Sequence, residues 1–549
     1  MHVSLQESLQ ETVQEPQDIL DLDGESVLVP SSPPAPHRKW LARPYVAYLL
    51  FALGFAVYLL PFMRFLSRSS VEGTLVYDAA RIVHGQVFAR DFFEVIGPGT
   101  FYWLALFFKI FGVTFVATRI CLFVTSLGTL LSMYYLSRRV CERFQALVST
   151  LLIAVYFSAI WPMVSHHTDS TFFALLSVVC VARWQDTRNR FLLVAAGALA
   201  AVTTCVLQPK GLLLLLAMLL WLWIERRRGS ASLSAIGVLL AGYSGVAGAV
   251  LLYFWSRGAL HDLISMNVVW PFHHYATVNA VPYASGLLKS WTHWRVSLHP
   301  WLLPLALACI TSYLFVAALP VLVIALGIPH GKDNLRPEIL LLWFCGWALW
   351  LSEIHRRDLG HLVVGSPLLM ILAIHFLAEY RGKIAELSLQ VLAISAGALA
   401  TANLFLVLSA TSVPTRVGPV ATFKTDPVLA FLGAHTAPGE EIFAYPYCPM
   451  YYFLSGTMNP TRYSLLIYNY NTPSQFQRAI RTLDRRKVRY VVWDTSFASK
   501  VTANNFFSAS AFRPSAGFPM EVYLQSHYRL VKDVNGVRIM ERKVINDAH

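Results

Sequence analysis

Charge is what this sequence has least of. Only 14% of its 549 residues are Asp, Glu, Lys or Arg, where soluble proteins carry roughly a quarter. With 56% hydrophobic residues and a mean hydropathy of +0.51, a water-soluble globular enzyme is excluded. Also missing are a Walker loop, a Gly-x-Ser-x-Gly elbow and a Gly-x-Gly-x-x-Gly fingerprint, so nucleotide-dependent chemistry has no support. The seven cysteines include no Cys-x-x-Cys pair, and only Cys448 falls in the polar C-terminal region, which excludes an internal disulfide there. His166-His167 and His273-His274 lack the helical i,i+4 partner of a zinc site. Residues 1–37 hold seven acids and no Lys or Arg. Lacking a basic n-region and a short apolar core, they read as a disordered cytoplasmic tail and not as a cleaved signal peptide.

What is present arrives in apolar blocks near 44–62, 116–136, 146–161, 169–184, 191–207, 211–224, 232–255, 299–325, 338–351, 362–378 and 386–410. Their lengths suit helices that cross a hydrocarbon layer. If the first enters from the cytoplasm behind Arg38, Lys39 and Arg43, every inner loop is basic. These loops hold Arg138, Arg139 and Arg143; Arg183 to Arg190; Arg226, Arg227 and Arg228; Lys332 to Arg336; and Arg381 with Lys383. The formal charge of +13 is therefore read as orientation-setting loop charge, and implies no nucleic-acid partner. Gly97 to Gly112 then has to lie as a helix in the outer interface, with Tyr102 and Trp103 at headgroup depth and Lys109 snorkelling.

Past Val413 the composition becomes that of a soluble domain. Helices are expected at Asp426 to His435 and Ser474 to Arg486, strands at Glu441 to Tyr445 and Arg489 to Asp494, and a hairpin around Asn535-Gly536. The expected fold class is a mainly α polytopic membrane protein of about eleven transmembrane helices with a small C-terminal α/β extracytoplasmic domain. The divisions are a tail (1–40), a membrane domain (41–412, with an outer loop over 63–115) and the outer domain (413–549).

With that topology, acids and bases converge on one membrane face. The first outer loop supplies Glu72, Asp78, Arg81, His84, Asp91 and Glu94. Later outer turns add Ser165-His-His-Thr-Asp169, Gln208-Pro-Lys210-Gly, Trp270-Pro-Phe-His273-His-Tyr275 and Glu353-Ile-His-Arg356-Arg357-Asp358-Leu-Gly-His361. A carboxylate such as Asp169 at the edge of hydrocarbon is costly unless paired or functional. Arg356, Arg357 and His361, if outward, form a phosphate-binding cluster. A transporter or lipid flippase is the competing class, but it places charges mid-span, whereas these lie at one edge.

The run Glu72-Gly-Thr-Leu-Val-Tyr-Asp78-Ala-Ala-Arg81, continued by Asp91-Phe-Phe, Gly97-Pro-Gly-Thr-Phe-Tyr102-Trp, Phe111-Gly112 and Ala117-Thr-Arg119, resembles the GT-C membrane glycosyltransferases of the family 39 type, the protein O-mannosyltransferases and aminoarabinose transferases. The likeness extends through Asp169, Pro209-Lys210-Gly and Arg357-Asp-Leu-Gly-His361. Many relatives carry Asp-Glu where this chain has Val71-Glu72.

The resemblance implies transfer of a sugar from a polyprenyl-phosphate donor, held among membrane lipids, to a hydroxyl of a glycan, lipid or protein acceptor on the outer face, with inversion. The general base is then open between Glu72 and Asp91, with Asp78 and Glu94 behind them. Lys210, Arg356, Arg357 and His361 would stabilise the phosphate. Asp169 would orient the acceptor, act as a partner base, or hold a magnesium or manganese ion with Glu72; no other cofactor is implied. Asp78, Tyr102, His167, His273 and Tyr275 are candidate substrate contacts. A bacterial inner membrane is the expected location.

Overall fold

The computed structural model describes residues 44–67, 70–160, 162–275, 303–330, 336–380, 382–468, 470–497 and 518–543. The acidic tail, Arg38, Lys39, Arg43, Lys332, Arg381 and residues 276–298 of the fourth outer loop lie outside them. Residues up to Phe51 and those from Ala52 onward form two units; the contacts below belong to the second.

Helix α1 (Pro44–Leu59) precedes α2 (Ser70–Val83) and α3 (Pro98–Phe111) of the first outer loop. The bundle continues with α4 (Phe115–Ser137), α5 (Arg143–Ile160), α6 (His166–Thr187), α7 (Arg190–Val206), α8 (Gln208–Arg227) and α9 (Leu233–Ser256). After the short α10 (Leu260–Ile264) come α11 (Leu303–His330), α12 (Pro337–Glu353), α13 (Leu359–Gly365), α14 (Pro367–Glu379) and α15 (Lys383–Leu408). Local chemistry sets the helix starts. Thr114, Ser165 and Asn189 cap α4, α6 and α7 by accepting a first-turn N–H. Helices α3, α8, α12 and α14 open on a proline, whose missing N–H is not needed there.

The protein is a membrane protein whose apolar segments are helical, but the count of eleven crossings is not reproduced by length and hydropathy. Among the described residues five helices qualify, or six if the bent pair α13 and α14 is one span. The others are too short or too polar: α6 opens on His166-His-Thr-Asp169-Ser-Thr, and Arg143–Phe157 and Arg190–Val206 fall below the length limit. The segment expected as one span near 362–378 bends by 76° between Gly365 and Pro367, where proline withholds a backbone donor. Helix α3 exposes Leu106, Lys109, Ile110 and Phe111 toward its far end. Trp103 turns inward, its Nε1 donating to Thr125 Oγ1 at 3.2 Å and its ring meeting Phe172 and Phe173.

Basic loops gather at one end of the bundle. Arg139 meets Asp186 at 2.7 Å and Glu338 at 3.5 Å, and Arg188 donates to the Ser230 carbonyl. The C-terminal region sits at the opposite end. There β1 (Thr411–Val413) and β2 (Val420–Thr422) pair antiparallel, followed by α16 (Pro427–His435), β3 (Ile442–Tyr445), α17 (Met450–Ser455), α18 (Pro473–Arg486), β4 (Tyr490–Asp494), α19 (Pro519–His527), β5 (Tyr528–Val534) and β6 (Val537–Arg542). The four-stranded sheet has the order β3-β4-β6-β5, with β3 and β4 parallel and the other pairs antiparallel. A capping box of Thr472 and Gln475 starts α18, which buries Phe476, Ala479 and Leu483 and exposes its arginines.

Helix α2 is buried on every side from Glu72 to Ile82, because the C-terminal region covers it. A Cβ on Gly73 would lie 2.7 Å from the Met450 backbone nitrogen, so glycine is what lets α17 approach. Asn459 N donates to Tyr77 Oη at 2.6 Å, Ser464 Oγ to Asp78 Oδ1 at 2.7 Å, and Phe93 N to the Arg462 carbonyl at 2.8 Å.

Candidate active site

A cavity of about 330 Å³ opens at the end of the bundle nearest the C-terminal region. Val95 and Ile96, just before α3, form one wall; His166 and His167 at the start of α6, with Gln208 and Pro209 at the start of α8, form another; Glu353, Arg356 and His361 complete it. Two long helices thus bring their N-terminal ends to the cavity, where the helix dipole favours an anion. Asp358 caps α13 and accepts from His361 Nδ1 at 2.8 Å, which orients that ring. Arg356 Nε lies 3.6 Å from Asp358 Oδ2.

Two of the lining residues, His167 and Glu353, belong to a buried charge triad with Lys210. Lys210 Nζ contacts Glu353 Oε1 at 2.7 Å and donates to Thr171 Oγ1 at 2.9 Å, while His167 Nδ1 lies 3.0 Å from Glu353 Oε2. The His167 ring meets that of His361 edge-on at 4.5 Å. Lys210 is thus fully engaged and does not line the cavity, and Arg356 is the arginine that does, beside His166, His167, His355 and His361. Arg357 Nε donates to the Ile354 carbonyl at 3.0 Å and does not line the cavity.

The structure distributes the acids differently from one another. Glu72 is closed: Arg119 forms an ion pair with it, Ser67 Oγ donates to Oε2 at 2.8 Å, and Val164 N donates to Oε1 at 3.1 Å. Arg119 also donates to the Phe65 carbonyl at 2.7 Å, so the pair joins the outer loop to α4. Asp169 accepts from Thr100 and, at 3.4 Å, from Thr125, tying α3 to α4. Asp91 lies toward the surface, where its salt bridge to Arg90 holds its carboxyl below the usual range. Asp78 faces Ser464 and Arg81, and burial pushes its pKa up to about 6.

Glu94 is the exception. Its Oε1 accepts from the backbone N–H of Val95 at 2.8 Å and of Ile96 at 3.3 Å, the two residues that wall the cavity. Its Oε2 is buried with no hydrogen-bond partner among the described residues. Burial, reinforced by the charge of Asp78, pushes its pKa up to about 8. A carboxylate in the apolar run Phe92-Phe-Glu94-Val-Ile96 was the available sequence signal.

Of the remaining expected contacts, Tyr102 Oη meets Tyr253 Oη at 3.2 Å away from the cavity, and His273 is exposed with Nδ1 2.8 Å from the Val269 carbonyl. The Tyr275 side chain lies outside the described residues. A divalent ion does not fit between Glu72 and Asp169, since Arg119 already neutralises the first and two threonines occupy the second. Among the described residues no group of three or more His, Cys, Asp or Glu is disposed to hold a metal.

Residues 96–255 match the family model described as dolichyl-phosphate-mannose-protein mannosyltransferase. In structure the chain is similar to ArnT from Cupriavidus metallidurans bound to undecaprenyl phosphate, with a TM-score of 0.55 at 12% identity, covering 93% of this chain and 99% of that one. It also matches the archaeal oligosaccharyltransferase AglB from Archaeoglobus fulgidus, in complex with an inhibitory peptide and a dolichol-phosphate, at TM-score 0.49 and 12% identity over 93% of this chain and 75% of that one. ArnT in the apo state gives 0.45 at 12% identity, over 88% and 100%. No curated protein matches the sequence. The fold is that of the GT-C membrane glycosyltransferases, and the resemblance carried by the first outer loop is borne out.

Proposed function

We propose that this protein is an integral-membrane glycosyltransferase. It moves a sugar from a polyprenyl-phosphate donor to a hydroxyl acceptor at the extracytoplasmic face of a bacterial inner membrane. The observation that carries the reading is the juxtaposition at one cavity of an anion-favouring wall and a buried carboxylate held beside the opposite wall. Support comes from the match to a mannosyltransferase family model over residues 96–255, and from the undecaprenyl phosphate bound by the ArnT of similar fold.

The donor phosphate lies against Arg356, His361 and the N-terminal ends of α6 and α8. The base is Glu94 in preference to Glu72 or Asp91, because its Oε2 has no hydrogen-bond partner among the described residues while Arg119 and Arg90 pair with the other two, and because burial brings its pKa near the working pH. Its Oε2 takes the acceptor proton as the acceptor oxygen bonds to the anomeric carbon. The bond from that carbon to the phosphate oxygen breaks, and polyprenyl phosphate leaves with the electron pair. Charge growing on the phosphate meets Arg356. Attack from the Glu94 side and departure toward the cationic wall correspond to inversion. Lys210, Glu353 and His167 hold the wall in place, and Asp169 anchors the helix that carries the other wall.

Purification in detergent, mass spectrometry of the co-purifying lipids and a transfer assay with polyprenyl-phosphate sugars test this. An isoprenoid phosphate and sugar transfer are the expected results. Absence of both, or wild-type turnover in Glu94→Gln, overturns the proposal.

A further inference from the structure

A second cavity, about 210 Å³, lies wholly within the C-terminal region. It opens where the parallel strands β3 and β4 end, at Tyr445 and Asp494, the edge at which parallel α/β sheets bind ligands. Trp493, Phe497, Phe518 and Tyr468 give it aromatic surface, and Asp494, Thr495 and Glu521 give it polar groups. Among the described residues no Lys, Arg or His lines it. The Tyr445 hydroxyl donates to Glu521 Oε1 at 3.4 Å, which holds the carboxyl at the rim.

This chemistry selects among ligand classes. A phosphate or nucleotide would meet two carboxylates and, among the described residues, no cation. A lipid tail would strip water from those carboxylates without replacing it. A sugar ring satisfies both halves: its C–H faces pack on aromatic rings, and its hydroxyls are donors to carboxylates that only accept. The volume is below that of pockets for drug-sized ligands, roughly 300–1,000 Å³, and suits a single ring. One buried tyrosine stands between this cavity and the acids of the outer loop. Tyr447 meets Phe497 edge-on at 6.1 Å, and its phenol lies within the electrostatic reach of Glu94 and Asp78.

We propose that this cavity is a saccharide subsite that holds one ring of the acceptor glycan beside the catalytic cavity. The proposal rests on the glycosyltransferase reading for the word acceptor; the binding itself does not.

The test is calorimetric titration of the full chain in detergent. The probes are methyl β-D-glucopyranoside, methyl β-D-galactopyranoside, methyl α-D-mannopyranoside and N-acetylglucosamine. At least one should bind saturably with a millimolar Kd. Phe518→Ala, Glu521→Gln and Asp494→Asn, each checked for unchanged elution and Tm, should weaken it tenfold or more, and Arg356→Ala should change it less than twofold. No binding by any probe, wild-type affinity in all three cavity variants, or loss of binding in Arg356→Ala overturns the subsite. Binding at this cavity without any sugar transfer overturns the glycosyltransferase reading and leaves the saccharide site standing. Transfer with unaltered acceptor KM in the cavity variants does the reverse.

Discussion

The two ends of the helical bundle handle charge in opposite ways. At the Arg139 end, the ion pairs to Asp186 and Glu338 stay in contact with solvent, the side chains being 16%, 41% and 28% exposed. At the Glu94 end, the side chains of Arg119 and Glu72 are 0% exposed, and those of Lys210 and Glu353 are 0% and 3%. Exposed pairs contribute at most about 1 kcal/mol. Enclosed pairs hold only because further donors and acceptors complete them, and removing one partner strands a charge. One end therefore uses charge to meet water, and the other uses it to lock helices together around the cavity.

The contrast breaks most sharply at Glu94. Glu94→Gln should lower turnover by about 10²–10⁴ with the unfolding midpoint unchanged; turnover near wild type would move the base elsewhere. Arg119→Leu should cost about 3–5 kcal/mol of stability, read as thermal unfolding in detergent, because Glu72 is left buried and charged. A loss below about 1 kcal/mol would show that the enclosed pair behaves like an exposed one. The pH profile sharpens the assignment. Glu94, protonated below about 8, works as a base only when ionised, so the rate should rise with pH, about tenfold per unit well below that value, and level off above it. A flat profile from pH 6 to 9 would remove Glu94 as the titrating base. Arg356→Ala should raise the donor KM by about ten- to a hundredfold, the worth of a charge-assisted hydrogen bond; an unchanged KM would take the phosphate away from that wall. The smallest effect belongs to the opposite end, where Arg139→Ala should cost under about 1 kcal/mol and fade in high salt.

Much of the fold was legible because it is written in periodicity and punctuation. Asp426 caps α16 and Asn535-Gly536 turn the hairpin with φ of +51° and +85°, where their residue types indicate. The elements missed are those whose existence depends on tertiary contact: α17 has six residues and leans on α2, and α19 follows a stretch without a clear pattern. At the proposed site, a charge cluster at a span entrance marks His361 and Arg356, which line the cavity. The closure of Glu72 was not, since its partner Arg119 is 47 positions away and pairing across that distance leaves no local mark. Glu353 was visible only as a charge ending an apolar helix, and its role between Lys210 and His167 appears only when three helices meet.

The bonds from Asn459 and Ser464 into Tyr77 and Asp78 decide how this molecule can be taken apart. A protease cut or an engineered stop near residue 412 would not release a self-sufficient helical half, because α2 would lose its cover and its buried residues, Tyr77 and Asp78 among them, would meet bulk water. Shortened versions meant for expression have to keep the tail end of the chain, and any tag is better attached beyond it than inserted before it.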